Sequence, residues 1–260
     1  MHRCETGSSG IIPHTHFGHG SRLAGRGNRS TDCTAFREAP RVGDAMPRSF
    51  QKLKISPGVV LWPGCLQPPA QSGLIDDVLA RVREAPFYRP RMPRSGKPFT
   101  VAETNFGILG WYSDEAGYRY ETCHPRTRRP WPPMPERLIA LWSTLTNHPA
   151  LPECCLVNLY RGDARMGLHQ DRDEAALEAP VLSISLGDDA IFRIGGTTRQ
   201  SSTQSFALRS GDALVFGGVA RLAYHGIDRV IANSSSLVPG GGRINLTLRR
   251  VSPVEKKKMP

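Results

Sequence analysis

Two imidazoles and a carboxylate carry the first chemistry this sequence suggests. His169-Gln170-Asp171 is an H-x-D pair, and His225, in RLAYHGI, is a second histidine far downstream. Two imidazoles and one carboxylate on one side of a divalent ion leave its other positions open, the ligand set of non-heme Fe(II) oxygenases. An H-x-D pair alone is weak, because 8 His and 23 acidic residues produce a few by chance. Its company strengthens it. Asn158 and Tyr160 stand two apart just upstream, as same-face residues of a strand do. Downstream, RINLTLRR sets Arg243, Asn245, Thr247 and Arg249 at every second position, with Ile244, Leu246 and Leu248 on the other face.

Two arginines on the inside of a barrel need anions. A dicarboxylate meets that need, each guanidinium gripping one carboxylate through two parallel hydrogen bonds, with Asn158 and Tyr160 as neutral donors. 2-Oxoglutarate is such a dicarboxylate, able to chelate iron through its 2-oxo group and one carboxylate. The alternative is an outward strand face with solvated arginines.

The elements that must position these residues follow from periodicity. Val59–Trp62 reads as a strand closed by Pro63-Gly64. Leu74, Ile75, Val78, Leu79 and Val82 recur at helical spacing, and Leu138, Leu141, Trp142 and Leu145 form a second amphipathic helix ending near Asn147. Residues 99–109 are strand-like. Between them and the second helix lie Trp111, Tyr112, Tyr118 and Tyr120, then a basic stretch with Arg126, Arg128, Arg129 and Trp131. Aromatic platforms beside arginines suit single-stranded nucleic acid; the alternative is a glycine-punctuated hairpin packed on the core. From Leu156 the pattern becomes short strands, expected at 155–160, 181–186, 190–194, 205–209, 213–217, 223–226 and 243–250. Helices first and strands after predict one α+β domain, a jelly roll whose mouth can hold a metal.

Composition sets looser bounds. At 260 residues the chain can bury a sizeable core. Its net charge of +11 fits a polyanionic partner or a coding bias toward arginine, and does not choose between them. Residues 1–48 lack helical and strand periodicity and are expected to be a disordered extension; 49–252 form the catalytic domain and 253–260 a basic tail. The six cysteines form no C-x-x-C pair and no secretory leader precedes them, so reduced thiols and a cytoplasmic location are expected. No run of about 18 apolar residues suggests a membrane span, and Gly240-Gly241-Gly242 lacks the Lys-Ser/Thr of a phosphate loop.

Taken together, TNFGILGW, GYRY, RRPWPPMP, NLYRGDARMGLHQDRDE, VLSISLG, AIFRIGG, GDALVFGG, RLAYHGI and RINLTLR, in this order, resemble the AlkB-type Fe(II)/2-oxoglutarate-dependent dioxygenases that repair alkylated nucleic acid. The resemblance runs from about Ile55 to Val251. It implies a double-stranded β-helix (jelly roll) with N-terminal helices packed against it and a nucleotide-recognition lid. It implies iron held by His169, Asp171 and His225, and 2-oxoglutarate held by Asn158, Tyr160, Arg243, Asn245 and Arg249, with O2 as co-substrate. Trp111, Tyr118, Tyr120, Asp173 and Arg199 fall where the family contacts the damaged nucleotide, with Arg165 and Gln170 nearby. The sequence departs at Leu159, at Ile244, and at Glu103, expected in the lid strand where bacterial relatives carry an apolar residue.

The expected function is oxidative demethylation of bases such as 1-methyladenine and 3-methylcytosine in single- or double-stranded DNA, or in RNA, by a monomer. Two other classes remain open: a 2-oxoglutarate-dependent hydroxylase of a protein or small molecule, and a non-catalytic nucleic-acid-binding module.

Overall fold

The computed structural model describes residues 51–254. The extension expected at 1–48 and the tail beyond Val254 lie outside the described residues. The described residues form thirteen strands, two α-helices and a short 3-10 helix at Gly218–Ala220. β1 (Leu53–Ser56) and β2 (Val59–Trp62) lead into α1 (Pro68–Val82). β3 (Ala102–Gly107) is followed by the hairpin β4 (Gly110–Asp114) and β5 (Gly117–Glu121), then α2 (Glu136–Thr146). The rest is β6 (Cys154–Tyr160), β7 (Met166–His169), β8 (Val181–Gly187), β9 (Asp189–Ile194), β10 (Gln204–Leu208), β11 (Ala213–Phe216), β12 (His225–Ile231) and β13 (Arg243–Arg249).

Seven strands form one sheet in the order β1-β2-β11-β8-β13-β6-β3, and four form a second in the order β10-β9-β12-β7. This is the expected jelly roll, with the two-stranded hairpin β4-β5 standing apart from both sheets. The larger sheet is buried on both faces, and strand alternation sorts its side chains. Ile244, Leu246 and Leu248 of β13, with Val157, Leu182, Ile184 and Leu186, pack against Leu74, Ile75 and Val78 of α1 and Leu138, Leu141 and Trp142 of α2. A second core, including Tyr160, Phe192, Ile194, Leu214, Phe216 and Ile227, fills the space between the sheets. The helices therefore act as a backing plate, and the polar row of β13 is turned inward.

α1 begins at Pro68, six residues before its apolar periodicity. A first turn that faces solvent shows no such period, and proline's fixed φ suits that position. α2 stops at Asn147, which takes a left-handed conformation at φ 52°. Two four-residue strands, β1 and β7, escaped the sequence reading, and β12, expected at 223–226, starts at His225 and runs to Ile231. A register shift between Ile227 and Arg229 breaks the alternation of β12, and its Asp228 pairs with Arg193 of β9 at 2.9 Å, so charge masks the strand. The strand expected at 99–109 is shorter, and Glu103 lies in it, on the edge of the seven-stranded sheet and not in the lid hairpin. Cys65, Cys154 and Cys155 are buried free thiols as expected.

Candidate active site

β7 and β12 pair in antiparallel register with His169 opposite His225. Their rings lie 4.5 Å apart between centroids. The loop leaving β7 brings Asp171 beneath both, with Oδ1 3.7 Å from His169 Nε2 and 3.9 Å from His225 Nε2. One ligand atom from each residue falls within 4.8 Å of the others. Each imidazole also meets a backbone carbonyl through Nδ1, His169 at Gly167 O and His225 at Ala223 O, both at 2.9 Å. A carbonyl only accepts, so Nδ1 carries the proton and each Nε2 turns a lone pair toward the common point.

Electrostatics keep His225 and Asp171 ready to bind a cation. Burial and the neighbouring His169 push His225 down to about 4, so it is neutral at neutral pH. Burial opposes ionisation of Asp171, but Arg249 and the two imidazoles outweigh it and hold the carboxyl well below the usual carboxylate range. The donor set of two imidazoles and one carboxylate fits a divalent ion such as Fe(II). Arg221, wholly inside the protein, fixes the loop by donating to Asp171 O, to Ala179 O at 2.8 Å and to Glu174 Oε2 at 2.9 Å.

Next to the triad lies a cavity of about 500 Å³, solvent at its mouth included, floored by β6 and β13. Asn158, Tyr160, Arg243, Asn245 and Arg249 all line it, as the alternation predicts. Arg243 is completely buried, yet among the described residues no carboxylate pairs with it. Its Nη2 donates to Ser185 Oγ at 2.8 Å, its guanidinium sits 5.5 Å from the Tyr160 ring, and Nε and Nη1 have no acceptor. Asn158 Oδ1 also lacks a partner. Buried polar atoms without partners are rare and costly, so this end of the cavity fits an anion with paired oxygens. Asn245 is tied to Ser183 Oγ at 2.7 Å and accepts from Thr247 at 2.8 Å. Arg249 sits at the triad end, where Nη2 lies 2.8 Å from Asp171 Oδ2, and its Nη1 is unpartnered.

The hairpin carries the aromatic residues. Trp111 stacks on exposed Tyr118 at 5.5 Å and 23°, and its indole N–H donates to Asp173 Oδ2 at 2.9 Å. Tyr120 donates its hydroxyl proton to Glu174, the carboxylate that also faces Arg249 at 3.4 Å. Loop 171–174 therefore links the triad to the hairpin. Arg199 is exposed, 5.9 Å over the Tyr224 ring, and is not brought to this cluster by any contact. Gln170 is a clamp, donating to Leu222 O at 2.6 Å, and exposed Arg165 is held through its backbone by Thr100. Trp131, read as part of a nucleic-acid platform, is buried and donates to Glu121 O at 2.9 Å, so it is core.

Glu174 and Arg221 had no role in the sequence reading. Both sit in loops, where no period marks a buried charge. The usable signal is that a carboxylate three residues from one ligand and an arginine four residues before another make a pair available.

The comparisons with known proteins agree with this geometry. Residues 58–249 match the 2OG-Fe(II) oxygenase superfamily. The chain is 58% identical over 198 residues to an alpha-ketoglutarate-dependent dioxygenase AlkB homolog of Caulobacter vibrioides, covering 76% of this chain and 90% of that protein. It is 39% identical over 190 residues to the alpha-ketoglutarate-dependent dioxygenase AlkB of Escherichia coli, covering 72% and 87%. The solved structure of OsALKBH1 superposes with a TM-score of 0.69 at 27% identity, covering 77% of this chain and 100% of that one. With a family match across most of the chain and a relative covered almost end to end, this protein belongs to the AlkB family of Fe(II)/2-oxoglutarate-dependent dioxygenases.

Proposed function

We propose that this enzyme removes alkyl groups oxidatively from nucleic-acid bases, with 1-methyladenine and 3-methylcytosine in DNA as its leading substrates and RNA as the alternative polymer. The observation that carries the reading is the junction of three parts. A two-histidine, one-carboxylate set lies beside a buried arginine that has free N–H donors. A stacked aromatic pair is tied to the same loop.

His169, Asp171 and His225 would hold iron. With 2-oxoglutarate and O2, the iron supplies the oxidising chemistry that hydroxylates an N-alkyl carbon. Arg243 grips the distal carboxylate of 2-oxoglutarate, using the two N–H groups that no protein acceptor takes. Asn158 and Tyr160 add neutral contacts, Asn245 holds the floor, and Arg249 steadies the metal-proximal end through Asp171. Trp111 and Tyr118 offer flat faces for the base, and Asp173 fixes the indole of Trp111. Tyr120 braces the hairpin on Glu174, and exposed Arg199 stands by as a phosphate contact. Burial of Asp171, His225 and Arg243 limits water around the reacting carbon, while the partly exposed His169 marks the side open to substrate. A base reaches it only by leaving its stack, which favours single strands and flipped nucleotides. The hydroxylated N-methyl group then departs as formaldehyde, and the cosubstrate as succinate and CO2. We assign the catalytic role to residues 49–252 acting as a monomer in the cytoplasm; among the described residues no helix is long and apolar enough to cross a membrane.

The test is mass spectrometry of a panel of methylated oligonucleotides after incubation with Fe(II), ascorbate and 2-oxoglutarate. Loss of 14 mass units per methyl (a CH2 removed) with matching succinate release is the expected result. Succinate release with a protein or small molecule and none with any oligonucleotide would overturn it.

A further inference from the structure

The hairpin β4-β5 runs on into a tight turn, residues 124–129, that the site described above does not use. Arg126, Arg128 and Arg129 are all exposed on it. Among the described residues, none of their side chains has a hydrogen bond or an ion pair. On the hairpin itself charge is balanced, since Arg119 is spent on Asp114 at 2.7 Å and Glu121 at 2.6 Å. The turn therefore gathers three cations with no acid to meet them.

Its backbone is nevertheless fixed. His124 N donates to Arg129 O at 2.8 Å, and Arg128 N donates to His124 O at 2.9 Å. The buried His124 ring faces Pro86 O through Nε2 at 2.8 Å. A carbonyl only accepts, so Nε2 carries the proton and Nδ1 is left to accept. It accepts from Arg126 N at 3.2 Å and from Thr127 N at 3.1 Å. Burial holds the imidazole below its ordinary range, which keeps the ring in this neutral form. Arg128 takes a left-handed φ of 59°, where glycine or asparagine ordinarily sits. A merely solvated run of charge needs no such frame, whereas cations held ready for an anion bind it at lower entropic cost.

The turn also shares its anchors with the base platform. The His124 ring packs edge-on against Tyr88 and Trp131, and the Tyr88 hydroxyl donates to Trp111 O at 3.4 Å. The turn begins four residues after Tyr120, hence at most about 14 Å from it along the chain. That distance is about four base steps of a stacked strand at 3.4 Å each.

We propose that Arg126, Arg128 and Arg129 form a phosphate-binding surface that holds the strand flanking the target base. This rests on the nucleic-acid reading above and adds where the polymer is held. Guanidinium groups grip phosphate oxygens in pairs, and such contacts fix a strand's position without reading its sequence.

The test uses the full chain loaded with Mn(II) and 2-oxoglutarate. Two labelled single strands, a fifteen-nucleotide strand and a trinucleotide, each with a central 1-methyladenine, are titrated by fluorescence anisotropy between about 50 and 200 mM salt. The trinucleotide has only two internucleotide phosphates, both beside the lesion. For the long strand, R126Q/R128Q/R129Q should lower the slope of log affinity against log salt by about 2. Its affinity at the lowest salt should fall roughly tenfold or more. R126Q/R129Q, which leaves the left-handed residue untouched, should lower the slope by about 1.4. Trinucleotide affinity should change less than about twofold, and melting temperature and 2-oxoglutarate binding should stay as in the parent. An unchanged slope, or equal losses on the two strands, would overturn the surface. So would an unchanged slope with lost binding to a poly-glutamate peptide or to phosphatidylserine vesicles, which would assign it to a protein or a membrane. Turnover of the long strand with Fe(II) separates the two readings. Slope loss without turnover of any methylated strand sinks the demethylase reading alone, whereas turnover by a triple variant that binds like the parent sinks only the surface.

Discussion

Among the buried arginines of the described residues, Arg243 has the fewest protein partners for the charge it carries. Truncating one member of a desolvated charge pair costs about 2–5 kcal/mol, so Arg243→Leu should raise the 2-oxoglutarate concentration for half-maximal activity by roughly thirtyfold or more. A cosubstrate titration reads this directly, and an unchanged value would mean the guanidinium serves packing only. Glu103 yields a second prediction, on stability against pH. Its folded pKa of about 8 lies above the ordinary value of 4.5, so the native protein keeps a proton that the unfolded chain has released. The contribution is therefore fully present below about pH 4.5 and declines as pH rises toward 8. At about 1.4 kcal/mol per unit, the loss is at most a few kcal/mol. Denaturant melts at pH 5.5 and 8 should show the parent weakening, and Glu103→Gln weakening less. A parent and variant with parallel profiles would contradict it. Asp171, held low, acts in a separate window, losing its contribution as pH falls below the usual carboxylate range. Single residues were legible in the sequence where a pattern carried them. The H-x-D pair and the alternation of β13 did so. Arg221 and Glu174 were not, because a buried ion pair between two loops leaves no period.

At the scale of elements, β13 shows how one strand serves two purposes. Its apolar residues complete the helix-backed core while its polar residues line the cavity, and the sequence alternation stated both. Register was beyond reach of the sequence: no pattern in MGLH or HGIDRVI tells that His169 will stand opposite His225. The hairpin was read as aromatic, but which rings stay free was decided by tertiary contacts. Trp131 went inward because Gly110 leaves it room. A Cβ on Gly110 would come within 2.4 Å of the Trp131 ring and 2.8 Å of Asn105 Cβ. Asn105 is the residue that holds Trp111, so Gly110→Ala should displace the start of β4 and with it the base platform. We expect turnover of a methylated oligonucleotide to fall at least tenfold. The Fe(II)/2-oxoglutarate charge-transfer absorbance should persist, since the triad and the Arg243 grip lie on other strands. Loss of that absorbance would show that the hairpin and the cofactor pocket form one cooperative unit.

Across the whole molecule, the same interior carries a fold and a set of buried charges that the fold leaves partly unmet. Arg243 Nε and Nη1, Arg249 Nη1, Asn158 Oδ1 and both oxygens of Glu103 make up most of the buried unpartnered side-chain atoms among the described residues. All lie along the interior row and cavity floor, and the apolar cores on either side have no such defect. Each buried unpaired group costs about 1–3 kcal/mol, so the domain is less stable than its packing alone would make it, and ligands that satisfy these atoms must stabilise it. The coupling follows mass action: a ligand at 100 times its dissociation constant adds about 2.7 kcal/mol, or several degrees in melting temperature for a domain of this size. Melting should therefore rise in two additive stages, one on adding Mn(II) and a further one on adding 2-oxoglutarate. The variants assign the stages. Arg243→Leu should keep the metal stage and lose most of the cosubstrate stage. His169→Ala, which removes one of the metal's three protein ligands, should lose both, because the cosubstrate's chelating end then has no ion to bind. EDTA added to the loaded parent should return it to the starting temperature. A 2-oxoglutarate stage that survives in His169→Ala at full size would place the cosubstrate away from the triad, and the joint site built by β7, β12 and β13 would have to be given up.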